Sequence, residues 1–192
     1  MYYDDTALCE VTCGSSLAHL GHVFPKSILQ AIAGFSRMLE EFVVERHFTA
    51  PRTLMFQVFT QPEHLKRWWA PQPYTIPVCT IDLRPGGIWH YCMRSPENQE
   101  QWARSVYSEI VPPEKLVYTS TFADEHANPI EGMPEHLTTV IFTEEVGKTQ
   151  VSARVQFASA AALKVAVDMD ILQVMSMTWE YLVGYVQELQ TT

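Results

Sequence analysis

The chain has 192 residues, 47% of them hydrophobic and 18% charged, about one domain's worth and enough to bury roughly 70% of its unfolded surface. With 11% aromatics it is neither disordered nor collagen-like. Its 22 acidic and 13 basic residues leave a formal charge of −9, which excludes the broad electropositive face of a nucleic-acid binder and a polybasic membrane patch.

The N-terminus, Met1-Tyr2-Tyr3-Asp4-Asp5, lacks the basic start and apolar run of a secretory signal. No stretch approaches the ~20 apolar residues of a membrane span. Cys9, Cys13, Cys79 and Cys92 are too few for a disulfide framework in a chain of this size. The expectation is a soluble cytoplasmic protein with reduced thiols. Residues 1–40 read as an extension distinct from a domain over 41–192. From Cys9 to Pro25 there is no sustained period. Ser27–Glu41 then reads as a short helix with Ile28, Leu29, Ile32, Phe35 and Leu39 at helical spacing. Met38, just before the first strong strand, is a plausible alternative start. The ligand types of Cys9, Cys13, His19 and His22 suit zinc, but their spacing does not fit a C2H2 finger, and no metal or other cofactor is expected.

Phe42–Phe48 is rich in β-formers and ends at Thr49-Ala50-Pro51. Arg52–Phe59 reads as a helix, and Gln61-Pro62-Glu63-His64 opens a second, proline being tolerated where its missing N–H has no helical partner. Six strands follow near 76–84, 87–94, 102–111, 115–122, 136–145 and 148–157. Arg84-Pro85-Gly86-Gly87 and Glu145-Val146-Gly147-Lys148 supply hairpin turns, and residues 123–135 form the longest loop. Ala158–Val167 reads as a short helix. From Ile171 to the end, Val174, Met175, Thr178, Leu182, Tyr185, Val186 and Leu189 share one helical face. The layout is α+β, a sheet that must bury one face against the last helix.

Four runs carry a resemblance. Phe48-Thr49-Ala50-Pro51 is followed by Val58-Phe59-Thr60-x-Pro62-Glu63-His64-Leu65-Lys66-Arg67-Trp68-Trp69-x-Pro71. Next comes Asp82-Leu83-Arg84-Pro85-Gly86-Gly87-x-Trp89, then Tyr107-x-Glu109-Ile110-Val111-Pro112-Pro113-Glu114-Lys115-Leu116-Val117-Tyr118-Thr119. From about 41 to 189 the chain resembles the SRPBCC (START-like) superfamily, in the branch named after the activator of heat-shock-protein ATPase. The resemblance implies a helix-grip fold, in which a curved antiparallel sheet of six or seven strands holds a long C-terminal helix with a cavity between them. A short helical pair follows the first strand. The superfamily includes lipid and sterol carriers, polyketide cyclases and aromatases, hormone receptors and co-chaperone domains. Thr178-Trp179 stands where the branch usually has Gly-Trp.

Trp89, Tyr91 and Met93 alternate, so they share one strand face. With Trp68, Trp69, Tyr118 and Phe122, closed over by Met175, Trp179 and Leu182, they are the candidate lining of a small-molecule pocket, and equally the candidate filling of a solid core. Asp82, Arg84, His90, Glu109 and Thr178 are the polar groups able to face it. Arg84 and Thr178 complete the candidate ligand-binding set, although Asp82 and Arg84, two apart on one strand face, are placed to pair with each other and His90 alternates outward. No Ser-His-Asp or Cys-His pattern stands in a matching context, so no catalytic residue is nominated. Gly86-Gly87 is a turn and not a phosphate loop, and Lys66-Arg67 is too little charge for nucleic acid. The leading expectation is a domain that binds a small apolar or amphipathic ligand without intrinsic catalysis. The alternatives are a cyclase- or dehydratase-like enzyme needing an inward carboxyl, histidine or arginine, and a co-chaperone-type interaction module. A chaperone or a second copy of the chain is the macromolecular partner to expect.

Overall fold

A computed structural model describes residues 10–12 and 41–191 of the protein. The candidate helix Ser27–Glu41, up to residue 40, and the Cys9, Cys13, His19, His22 cluster lie outside the described residues.

The elements run β1 (Glu10–Thr12), β2 (Glu41–Phe48), α1 (Arg52–Thr60), α2 (Pro62–Trp68), β3 (Thr75–Ile81), β4 (Ile88–Arg94), β5 (Glu100–Val111), β6 (Lys115–Ala123), β7 (His136–Glu145), β8 (Lys148–Phe157), α3 (Ala160–Asp168) and α4 (Ile171–Thr191). One sheet holds all eight strands in the order β1-β2-β8-β7-β6-β5-β4-β3, every neighbour antiparallel. The seven strands from Glu41 onward and the helical pair after β2 are those expected from the sequence. The three-residue strand β1 is an addition, pairing Val11 with Val44 along the outer side of β2.

Strands β3 to β8 form an up-and-down meander, and β2 closes it by pairing with β8, from Glu41 opposite Gln156 to Phe48 opposite Thr149. The chain therefore has to travel from β2 to the far edge before β3 begins, and α1 and α2 make that crossing. Pro51 is in extended conformation before α1, and Pro62 opens α2. The Trp68 indole donates to the Val58 carbonyl at 3.0 Å, fixing the second helix on the first.

Alternation decides which side chains enter the core. Phe42, Val44 and Phe48 of β2, Leu116 and Tyr118 of β6, Val140 and Phe142 of β7 and Val151, Ala153 and Val155 of β8 are buried on the inner face. Two bulges, between Thr75 and Val78 and between Tyr107 and Glu109, add local bend and twist to the β3–β6 side. The 21-residue helix α4, roughly 30 Å long, lies against this concave surface and buries Thr178, Trp179, Leu182 and Val186. Burying Trp179, Leu182 and Val186 is worth roughly 5–9 kcal/mol before entropy is counted. Polar contacts pin the same helix. Arg46, almost wholly buried on β2, donates to Glu180 at 2.7 Å, and the Tyr185 hydroxyl bonds His64 Nδ1 of α2 at 2.7 Å.

Backbone hydrogen bonds tie the β3–β4 turn to β5. Gly86 N–H donates to the Tyr107 carbonyl at 2.7 Å, and Tyr107 N–H returns a bond to Gly87 at 3.0 Å. Gly86 has φ +79°, which disfavours a side chain, and a Cβ on Gly87 would collide with the Asp82 backbone oxygen. Gly87→Ala is therefore expected to cost roughly 2–3 kcal/mol through backbone strain, read as a lower urea midpoint with an unchanged slope.

Candidate functional site

The core under α4 is uneven. Beneath its middle, Phe59, Phe142, Trp68 and Trp179 form an aromatic cluster with ring centroids 4.8–5.8 Å apart. Towards its N-terminal end the sheet floor carries small side chains. Ala103 of β5 lies opposite Phe122, and Ser105, Ser120 and His136 form one cross-strand row over β5, β6 and β7. Tyr107, Tyr118 and Thr138 form the next row. Between these rows and the helix a cavity of about 160 Å³ remains.

Its floor is Tyr91 and Met93 of β4, Gln101 and Ala103 of β5, Tyr118, Ser120, Thr121 and Phe122 of β6, and His136 and Thr138 of β7. Its roof is Met169, Ile171, Val174, Met175, Thr178 and Trp179; Trp69 closes one end, and Pro134 enters from the long loop. Met169 and Val174 are both lining and partly exposed, which places the mouth by the α3–α4 junction. There Asp170 holds φ +56°, a left-handed position between two helices.

Eight of the sequence-nominated residues meet at this cavity: Trp69, Tyr91, Met93, Tyr118, Phe122, Met175, Thr178 and Trp179. Four do not. Trp68, Trp89 and Leu182 are fully or almost fully buried in the wall behind it. Trp89 packs between Trp69 and Tyr91, at 4.6 and 4.9 Å between centroids, with Trp69 in front. Arg84 sits in the β3–β4 turn, largely exposed, and pairs with Asp82 at 2.8 Å. Strand β3 ends at Ile81, so inward alternation stops before either residue. His90 lies on the outer face, stacked on Trp102 at 4.9 Å and bonded to the Asp124 carbonyl at 3.0 Å. Glu109 pairs with Lys115 at 2.7 Å in the open. Thr178 is accommodated within the helix, its hydroxyl donating to the Val174 carbonyl at 2.8 Å.

Sequence reading missed the polar half of the floor. Ser120 was legible, since it alternates between Tyr118 and Phe122. Thr138 and His136 become visible only once β7 is registered against β6, with Tyr118 opposite Thr138 and Ser120 opposite His136. Ser120 and Ser105 share a hydroxyl–hydroxyl bond of 2.7 Å. The His136 ring packs on Phe157 at 5.4 Å, and its nitrogens have no hydrogen-bond partner among the described residues.

Among the described residues, no aspartate, glutamate, lysine or arginine lines the cavity. Its titratable groups are also held neutral near pH 7. Burial pushes the Tyr91 phenol up to about 12 and the Tyr118 phenol further still, with Tyr107 and Tyr91 adding to the latter. Burial pushes the His136 imidazole down to about 4. The surroundings are thus apolar, aromatic and uncharged, with a few placed hydroxyls and one neutral imidazole. Ser120 is tied to Ser105, and among the described lining residues no carboxylate stands beside His136. Among the described residues, no three His, Cys, Asp or Glu side chains group closely enough to hold a metal ion.

Because the folded protein disfavours protonated His136, this group's contribution to stability is complete above about pH 6.5. It is lost progressively as pH falls towards 4, by up to about 3 kcal/mol. His136→Leu is expected to flatten that part of the stability profile, measured by urea unfolding at half-unit pH steps.

Residues 49–187 match the family described as Activator of Hsp90 ATPase homolog 1-like protein. Similar solved structures include protein Ms6760 from Mycobacterium smegmatis, 27% identical, with a TM-score of 0.68 over 78% of this chain and 90% of that one. A protein from Arthrobacter aurescens is 23% identical, with a TM-score of 0.71 over 78% and 87%. The AHSA1 protein from Silicibacter pomeroyi is 17% identical, with a TM-score of 0.61 over 77% and 97%; the last two likenesses show the fold alone. No curated protein matches the chain. With the matched segment spanning most of its length, this chain belongs to the Activator of Hsp90 ATPase homolog 1-like family.

Proposed function

We propose that the protein is a binding domain for a small, mostly apolar ligand, held between the concave sheet and α4, with no catalytic machinery of its own. The observation that carries this reading is the uncharged cavity of about 160 Å³ left where bulky packing stops. A protein interior normally fills such space, and a chain that leaves it beside five aromatic rings offers a ligand dispersion contacts and apolar burial. Members of the superfamily that this fold resembles bind ligands in the corresponding space. The unpaired buried thiols of Cys79 and Cys92 support a reducing, cytoplasmic setting, and no helix among the described residues is long and apolar enough to cross a membrane.

A second reading, an interaction module of co-chaperone type, is favoured by the family's description and by one surface feature. Val165, Met169, Val174 and Met177, on and between α3 and α4, are all about two-fifths exposed, an apolar surface of the kind partners cover. Co-purification with the host's Hsp90-type ATPase tests that reading.

The ligand reading is tested by filling the cavity. Ala103→Leu adds apolar volume at the floor and is expected to lower ligand affinity at least about tenfold. It should change stability by no more than roughly 1–3 kcal/mol. Native mass spectrometry and thermal-shift titration of both proteins against lipids and small aromatic compounds read the outcome. Unchanged affinity in Ala103→Leu would place the ligand elsewhere.

A further inference from the structure

The cavity's size, charge and polar strip together restrict what it takes. At about 160 Å³ it is close to the roughly 150 Å³ apolar cavity that accommodates benzene. It therefore suits one ring with a small substituent and is too small for a sterol or a fused polyketide. The rings of Trp69, Tyr91, Tyr118, Phe122 and Trp179 surround this space, and aromatic walls favour a flat ring in edge or offset contact.

Charge narrows the choice further. A carboxylate or ammonium drawn into this lining would meet no opposite charge among the described residues, none of whose acidic or basic side chains lines it, and an unpaired buried charge is strongly disfavoured. The guest is neutral. Apart from the exposed Gln101, its polar group has one uncommitted counterpart among the described lining residues. His136 sits on β7 directly across from Ser120, lines the cavity and makes no hydrogen bond among the described residues. A neutral imidazole offers one N–H and one lone pair. A hydroxyl group matches both, donating to one nitrogen or accepting from the other.

We propose that the cavity binds a neutral single-ring aromatic bearing a hydroxyl group, its ring among the aromatic walls and its hydroxyl hydrogen-bonded to His136. This rests on the ligand-binding reading above and names the class of ligand. His136 is then a binding and specificity-determining residue.

The test is titration of the full chain with four probes, p-cresol, toluene, p-toluate and decanoate, followed by amide chemical shifts of cavity residues and by calorimetry. The expected result is that p-cresol binds about 3–10 times more tightly than toluene, the value of one net hydrogen bond. p-Toluate and decanoate should be weaker than both. His136→Leu should bring p-cresol to the level of toluene and leave toluene unchanged, and His136→Gln, which keeps a donor and an acceptor, should restore part of the difference. Equal binding of p-cresol and toluene by the unaltered protein overturns the hydroxyl assignment and leaves the cavity as a ligand site. Preference for p-toluate or decanoate overturns the neutral single-ring class and leaves ligand binding standing. If none of the four shifts the cavity resonances, the cavity reading and this inference fall together. The probe ranking is measured on the unaltered chain, so it decides the matter even if a variant fails to fold.

Discussion

The contact between α4 and the concave sheet governs this molecule, because the two surfaces match at one end and part at the other. Over its middle, the helix sets Trp179 and Leu182 among Phe59, Phe142 and Trp68, and apolar burial there supplies the attraction. The Arg46–Glu180 and His64–Tyr185 bonds fix the helix's position across the sheet. Towards its N-terminal end, the same helix passes over Ala103, Ser120 and Thr138, which line the void beneath it. A straight helix anchored on large residues cannot also descend onto small ones. The void follows from side-chain size rather than from any gap in the chain.

The electrostatics follow the same division. The chain carries −9 overall, yet its ion pairs sit mostly on the periphery, as with Arg84–Asp82, Lys115–Glu109 and Lys164–Asp168. Such exposed pairs contribute little individually. The interior space keeps three titratable rings, all held in their neutral forms by desolvation. An ion moved from water into this lining would lose more hydration than any described lining group returns.

Much of this architecture was legible in the residues. Strand alternation, the Gly-containing turns at 86–87 and 147, and the helical face from Val174 to Leu189 are local signals, and local signals place elements well. The aromatic wall was legible for the same reason. Depth was not. Alternation puts Trp89 and Tyr91 on one face, but only packing reveals that Trp69 stands in front of Trp89 and that Trp68 turns towards Val58. Arg84 was misplaced because the strand was extended three residues beyond Ile81. His136 and Thr138 were overlooked because their importance depends on the register of β7 against β6, a pairing between segments that no local pattern specifies.

The pairing of β2 with β8 joins residues more than a hundred positions apart, Glu41 with Gln156 at one end. Contacts of such long sequence separation form late, since a large loop must close before they repay its entropy. On the ribosome the β8-facing flank of β2 waits for the whole meander, and the roofing helix emerges after that. The hollow thus comes into being only when the roofing helix has been made and folded back over a sheet that is otherwise complete.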